Sequence, residues 1–460
     1  MVTLVLGPLR RRPTSFVGLA VALFLAVATV TMFGLLFAAD LTADLTAGED
    51  VREADAGPGL AVIAGAFGEI AVLVAFFVVV NALGFALRQQ HRELALLRTI
   101  AATPRQTRRL VRGQVVATTL VVAAPAWAAG AAAASRFLTE LQRRDMAAPG
   151  LRVPETLLPM LVALAATLVV GLAASAVAAR RISRVAPAAA LTASATEHGR
   201  TGAPRLLAGV GALVGGGLLL RLAATRPLEQ ADRAGQAALL GSLVLLVAVA
   251  LLGPLAARPP AAASGAPLRV LAPGAGWLAD ANLRGYARRL SSAVVPIALL
   301  VGLSGTMSIM TSTAGSAKGT TATSVTSTTD VWLRQSELAL LACFAAVSTV
   351  NTLVAVTAGR RREFALLRLV GATSSQLLRM LTLEAVLTTV VGVLLGATVA
   401  GAASAAFSTA VTGSAVPTVP MADCGWIVAG AAALTVPVIL VTGVRAVRGP
   451  ATEQVGGGGD

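Results

Sequence analysis

One charged segment is written twice in this chain, at a constant offset of 270 residues and without a gap. Asn81–Thr119 contains Arg92-Glu93-Leu94-Ala95-Leu96-Leu97-Arg98 and then Ala102-Thr103. Asn351–Thr389 contains Arg362-Glu363-Phe364-Ala365-Leu366-Leu367-Arg368 and then Ala372-Thr373. The identities extend to Asn81/Asn351, Gln106/Gln376, Arg109/Arg379 and Thr118-Thr119/Thr388-Thr389. An internal repeat constrains architecture more than any single motif, because each copy predicts one structural unit. Each copy lies between long apolar runs, so the chain reads as two similar membrane units.

Composition supports that reading. Of 460 residues, 56% are hydrophobic and 13% charged, against about 25% charged in soluble domains. Mean hydropathy is +0.79. The net charge is +15, carried almost wholly by arginine, with Lys318 the one lysine. That bias, with abundant Ala, Gly and Val, suggests a GC-rich bacterial genome. The arginines sit in short loops with few aromatic residues between them, a pattern that sets membrane topology rather than binding nucleic acid. Cys343 and Cys424 have no Cys or His at metal-ligand spacing, and their different depths disfavour a disulfide.

Ten segments are long and apolar enough to be read as spanning helices: 16–39, 60–87, 114–135, 157–179, 206–222, 236–257, 291–312, 335–358, 381–403 and 425–447. The first follows Arg10-Arg11-Arg12 and is longer than a signal-peptide core of about 7–15 residues, so it is expected to be a retained helix. Arginine concentrates in alternate loops: Arg10–Arg12, 88–113, Arg180/Arg181/Arg184, 258–290, 359–380 and Arg445/Arg448. Both termini are therefore expected in the cytoplasm. The opposite loops are acidic or neutral, apart from 136–156 with Arg136, Arg143, Arg144 and Arg152.

The expected fold is an all-α integral membrane protein with two parallel four-helix units. The first unit covers 1–198, a linker with two transmembrane helices covers 199–265, the second unit covers 266–450, and a flexible tail covers 451–460. Trp277 to Leu290 reads as an amphipathic helix at the inner surface, its arginines toward lipid phosphates.

Within each copy no Gly or Pro interrupts the helical composition from Arg88 to Thr103 in the first case, and Glu93, Leu97 and Ile100 share a helix face. Glu363, Leu367 and Val370 repeat this spacing. Ala102-Thr103-Pro104 and Gly371-Ala372-Thr373 read as breaks, with Thr103 or Thr373 as the N-cap of the next helix. A basic loop that only orients the chain would explain the arginines. It would not explain why Glu, Ala-Leu-Leu-Arg and Ala-Thr recur together, which favours a docking element.

These residues resemble the FtsX-like permease family, the membrane subunits of MacB-type (type VII) ABC transporters. Arg361-Arg362-Glu363-Phe364-Ala365-Leu366-Leu367-Arg368 with Gly371-Ala372 carries the family's segment after the second helix of a unit. The first copy departs at Ala101, where the family usually has Gly. The resemblance covers about 1–195 and 277–450. It implies that 88–106 and 358–376 are coupling helices seated on a cytoplasmic ABC ATPase, with two coupling segments for two ATPase copies. The coupling residues implied are Arg92, Glu93, Leu97, Arg98, Thr103, Arg362, Glu363, Leu367, Arg368, Gly371 and Thr373.

No Walker A sequence occurs: Gly315-Ser316-Ala317-Lys318-Gly319-Thr320 has Lys-Gly-Thr rather than Gly-Lys-Thr. ATP and Mg are thus expected on the partner ATPase, with no cofactor, metal or catalytic set on this chain. The loops at 40–59 and 313–334 are short where many family members insert a large outer domain. This favours export of an amphipathic or hydrophobic compound (a drug, peptide or lipid) taken from the bilayer. The alternative is a mechanotransmitter that regulates an extracellular cell-wall hydrolase. Glu69, Arg334 and Glu337, near the outer ends of their segments, are the candidate substrate or gating residues. Lipid and the hydrophobic substrate complete the expected partners in the plasma membrane.

Overall fold

The computed structural model describes residues 14–46, 60–89, 104–148, 150–154, 158–183, 203–227, 230–271, 274–285, 287–317, 328–358 and 361–447. Among them the regular structure is helical. The helices are α1 (Thr14–Thr46), α2 (Leu60–Gln89), α3 (Pro104–Gln142), α4 (Leu158–Ser183), α5 (Ala203–Ala224) and α6 (Ala231–Ala256). They continue as α7 (Arg258–Leu271), α8 (Ala275–Gly285), α9 (Ala287–Ser316), α10 (Thr328–Ala358), α11 (Arg361–Leu369), α12 (Ser374–Thr412) and α13 (Met421–Val447).

Each of the ten apolar segments falls on one of the long helices. Seven helices are long and apolar enough over their described residues to cross a membrane: α1, α3, α5, α6, α9, α12 and α13. In α4 and α10 the qualifying apolar run is shorter, Met160–Ala173 and Ala342–Val354. The repeat is visible in the helix bounds. Helices α3 and α12 are both 39 residues long and begin and end 270 positions apart.

The chain divides into two compact units, 1–197 and 198–460. In the first, α1 packs against α2, α3 and α4. In the second, α9 packs against α12, α10, α13 and α6. The α5–α6 hairpin is built into the second unit. Leu220, Ala223, Ala234 and Ala238 share a buried cluster with Met310 of α9 and Phe407 of α12.

In the second unit α9 and α12 approach closely along much of their length. A side chain at Gly396 would place its Cβ 2.9 Å from the carbonyl oxygen of Ala298 and 2.8 Å from Cβ of Val301. One at Gly392 would lie 2.6 Å from Cγ2 of Ile297. Gly392, Gly396, Ala400, Ser404 and Ser408 are spaced four apart and all are buried. Lipid supplies no hydrophobic drive to bring two apolar helices together, so association depends on backbones approaching closely enough for dense van der Waals contact. Small residues every fourth position provide that approach.

The same register recurs in the first unit. Val122, Ala126, Gly130, Ala134 and Leu138 stand 270 residues before those five positions, and all are buried. A Cβ at Gly130 would collide with Ala28 and Thr31 of α1. The third helix of each unit therefore presents one inward stripe at one register, although the side chains on it differ between copies.

Arg205 closes the linker hairpin at the end where α5 begins and α6 finishes. Pro254 lies within α6 and has no N–H to give the carbonyl four residues back. Arg205 donates Nη2 to that carbonyl, of Ala250, at 3.0 Å and Nε to Leu251 at 2.9 Å. Gly253 meanwhile sits against Ser291, where an added Cβ would lie 2.7 Å from that residue's Cβ, joining the hairpin to α9.

Replacing Gly396 by Leu should overpack the α9–α12 contact and destabilise the second unit by about 1–3 kcal/mol. Gly401→Leu, where an added Cβ meets nothing within 4 Å, should leave stability near wild type. Thermal unfolding of the detergent-solubilised variants checks this; equal midpoints for the two would remove the seam from the account.

Candidate coupling site

The second copy of the repeated segment is α11 and the turn that follows it. Glu363 lies in the first turn of this nine-residue helix and Arg368 in the last, each placed favourably for the helix dipole. Phe364 and Ala365 are 0% and 1% exposed. Phe364 enters a cluster with Ala257 before α7, Ala279 of α8, Leu290 of α9, Leu353 of α10 and Leu381 of α12. Leu367 and Ala372 pack against the same cluster. Leu366, Leu369 and Val370 face the other way, 48%, 55% and 88% exposed. One side of the helix is thus seated in the membrane unit and the other presents aliphatic surface.

Two caps fix the direction of the chain here. The amide of Gly371 donates to the carbonyl of Arg368 at 3.0 Å, and that of Ala372 to Leu367 at 3.0 Å. This is a Schellman closure with Gly371 in the left-handed position, φ 99°. A Cβ at Gly371 would meet nothing within 4 Å, so the demand for glycine is conformational, not steric. Two residues later Thr373 caps α12. Its hydroxyl accepts from the amide of Gln376 at 3.3 Å, and its own amide donates to Oε1 of Gln376 at 3.0 Å. That reciprocal pair is a capping box. Gln106 stands at the equivalent spacing after Thr103.

The elbow beneath α11 contains an ion pair. Arg269 of α7 donates Nε to Asp280 of α8 at 2.7 Å, and Asp280 is 4% exposed. Gly265 leaves room for that carboxylate, which occupies the place its Cβ would take. The pair ties α7 to α8, and Ala261 of α7 and Ala279 of α8 join the cluster that seats Phe364. The amphipathic segment expected from Trp277 to Leu290 is here α8 together with the start of α9.

The other sequence-derived residues are distributed as follows. Arg92, Glu93, Leu97, Arg98 and Thr103 lie outside the described residues. Arg362 is the second residue of α11, and its side chain lies outside them too. Glu363 and Arg368 are half-buried; Gly371 and Thr373 are exposed. Glu69 is in α2, and Arg334 and Glu337 are in α10, with side chains outside the described set.

The spacing Glu363–Leu367–Val370 does not form one face. Leu367 turns inward and Val370 is exposed, because α11 ends at Leu369 and the Schellman turn takes Val370 off the helical register. Phe364 emerges as the residue that seats the helix. Its signal in the sequence was the one aromatic side chain in the motif, where the first copy has Leu94.

Substitution tests the caps directly. Gly371→Ala should cost about 1–2 kcal/mol through the left-handed backbone, and Thr373→Ala about 1 kcal/mol through the lost cap. Hydrogen exchange across 361–380 should quicken about fivefold or more in each; unchanged protection would show that the caps do not hold the turn.

Comparison with curated proteins returns no match to the chain. The family profile for the C-terminal region of FtsX-like permeases matches residues 65–187 and 336–451. The two matched regions run from α2 past α4 and from α10 past α13, and each contains one copy of the repeated segment. They account for just over half of the sequence, and by that match the chain belongs to the FtsX-like permease family.

Proposed function

We propose that this chain is the permease subunit of a MacB-type ABC transporter in the plasma membrane. In this reading ten helices cross the bilayer as two parallel four-helix units joined by a two-helix linker, with both termini in the cytoplasm. Two copies of a separate ATPase bind ATP and Mg and dock on the two repeated segments. The work done is export of an amphipathic or hydrophobic compound. The family supports the coarse statement, a non-catalytic membrane permease component.

The observation that carries the finer reading is the two-sided burial of α11. A coupling element must be rigidly joined to the moving part and open to the motor. Phe364 and Leu367 supply the first property, and Leu366, Leu369 and Val370 the second. The caps at Gly371 and Thr373 make the joint to α12 stiff, so a push on α11 reaches the α9–α12 seam instead of bending a loop. Half-buried Glu363 and Arg368 bring charge to the rim, where complementary charge sets register and partner choice more than raw affinity. In the first copy Arg92, Glu93, Leu97, Arg98 and Thr103 take the same roles. Glu69, Arg334 and Glu337 remain the candidates for substrate contact or gating, since ionisable groups within spanning segments are costly unless used.

Glu93→Lys combined with Glu363→Lys should abolish permease stimulation of the partner ATPase in proteoliposomes while the chain stays folded. Stimulation at the wild-type level would reject the coupling assignment.

A further inference from the structure

Four arginines, Arg136, Arg143, Arg144 and Arg152, stand at the end of the first unit where loop charge should be lowest. The coupling reading gives them no task. Their placement on α3 does. Along α3 an exposed stripe runs through Leu120 and Val121, 56% and 74% exposed, and on through Ala128 to Arg136. Arg143 continues it, because its amide still bonds the carbonyl of Thr139 at 3.0 Å in the helical pattern. Seven residues separate Arg136 from Arg143, two turns on the same face.

The buried side of α3 faces the unit's own core, so the exposed aliphatic stripe is the side open to lipid. The apolar run 114–135 spans about 33 Å at 1.5 Å per residue, close to the roughly 30 Å of a bilayer's hydrocarbon. Arg136 therefore sits where hydrocarbon gives way to phosphate. Helical side chains tilt toward the N-terminus, so both arginines lean back toward the bilayer from above.

The end of the helix is also held in place. Asp145 adopts φ 56°, and the amide of Met146 bonds the carbonyl of Leu141 at 2.9 Å, closing the helix. Gln142 donates Nε2 to the carbonyls of Ala148 and Leu151 at 3.0 and 2.9 Å, fixing the loop. Arg144 is engaged by Glu140 through Nε and Nη2 at 3.1 and 2.7 Å. Arg143 stands 3.7 Å from the same carboxylate with its side chain 74% exposed, and Arg136 is exposed without a partner among the described residues. In the second unit the positions 270 residues on are Ala406, Gly413 and Ser414, so the charge is peculiar to the first.

We infer that Arg136 and Arg143 bind the phosphodiester headgroups of anionic phospholipid at the end of α3 remote from the repeated segment. The inference rests on the lipid-facing stripe, not on the docking of an ATPase, and its failure would leave that docking untouched.

Native mass spectrometry of the full chain, titrated with phosphatidylglycerol, tests it. Each arginine near a lipid surface contributes about 1 kcal/mol, so Arg136→Gln with Arg143→Gln should weaken phosphatidylglycerol retention about fivefold per arginine. Arg136→Lys with Arg143→Lys should keep most of it, and phosphatidylcholine should show no such difference. Retention in the Gln pair equal to wild type overturns the proposal. Competition by soluble glycerol phosphate at the concentration of the lipid overturns the lipid assignment, because it would show a site for free phosphate.

Discussion

The close contact of α9 with α12 at Gly392 and Gly396 is the constraint on which the second unit depends. In lipid, two apolar helices gain little by hiding from solvent, so backbone proximity has to supply the attraction. Proximity at these positions leaves no space for a side chain. Once α12 is set against α9, its N-terminal end carries the Thr373 cap, the Gly371 turn and α11 to a fixed place. The linker hairpin is set by the same two helices, through Met310 and Phe407.

The third helix of each unit thus has two tasks along one 39-residue length. Its central part holds the bundle together through the four-residue stripe. In α12 its first turn is joined to the repeated segment through the Thr373 cap. The buried cluster around Phe364 joins α11 to α8, α10 and the junction of α6 with α7. The α7–α8 elbow, closed by Arg269 and Asp280, joins the Phe364 cluster through Ala261 and Ala279, and its α7 also meets α6.

Much of this was legible in the sequence, for local reasons. A helix broken at Gly371 and restarted at Thr373 follows from backbone and cap chemistry, which act over four or five residues, and the structure has both. The ten apolar runs became helices because length and hydropathy suffice for that, although seven alone meet the measure for crossing a membrane over their described residues. The shared inward stripe of α3 and α12 was not legible. Past Thr119/Thr389 the identities are scattered, as at Val121/Val391 and Phe137/Phe407, and none falls on the stripe, whose copies share register and burial, with Ala126 equivalent to Gly396 and Gly130 to Ala400. The division of α11 into two faces was also hidden. Helical spacing placed Leu367 and Val370 together, and the Schellman turn separated them. Nor did the pattern show that the hairpin would join the second unit's core, since that depends on contacts distant in the chain, such as Gly235 with Phe407.

The central claim is that the outer side of α11 is where a motor protein docks. A photo-crosslinking amino acid placed at Val370, the most exposed aliphatic residue of this turn, tests it most directly in membranes that contain the co-expressed ATPase. The account predicts a crosslink from position 370 to the ATPase and none from Val416, which is exposed at the opposite end of α12. A crosslink from 416 with none from 370 would contradict it.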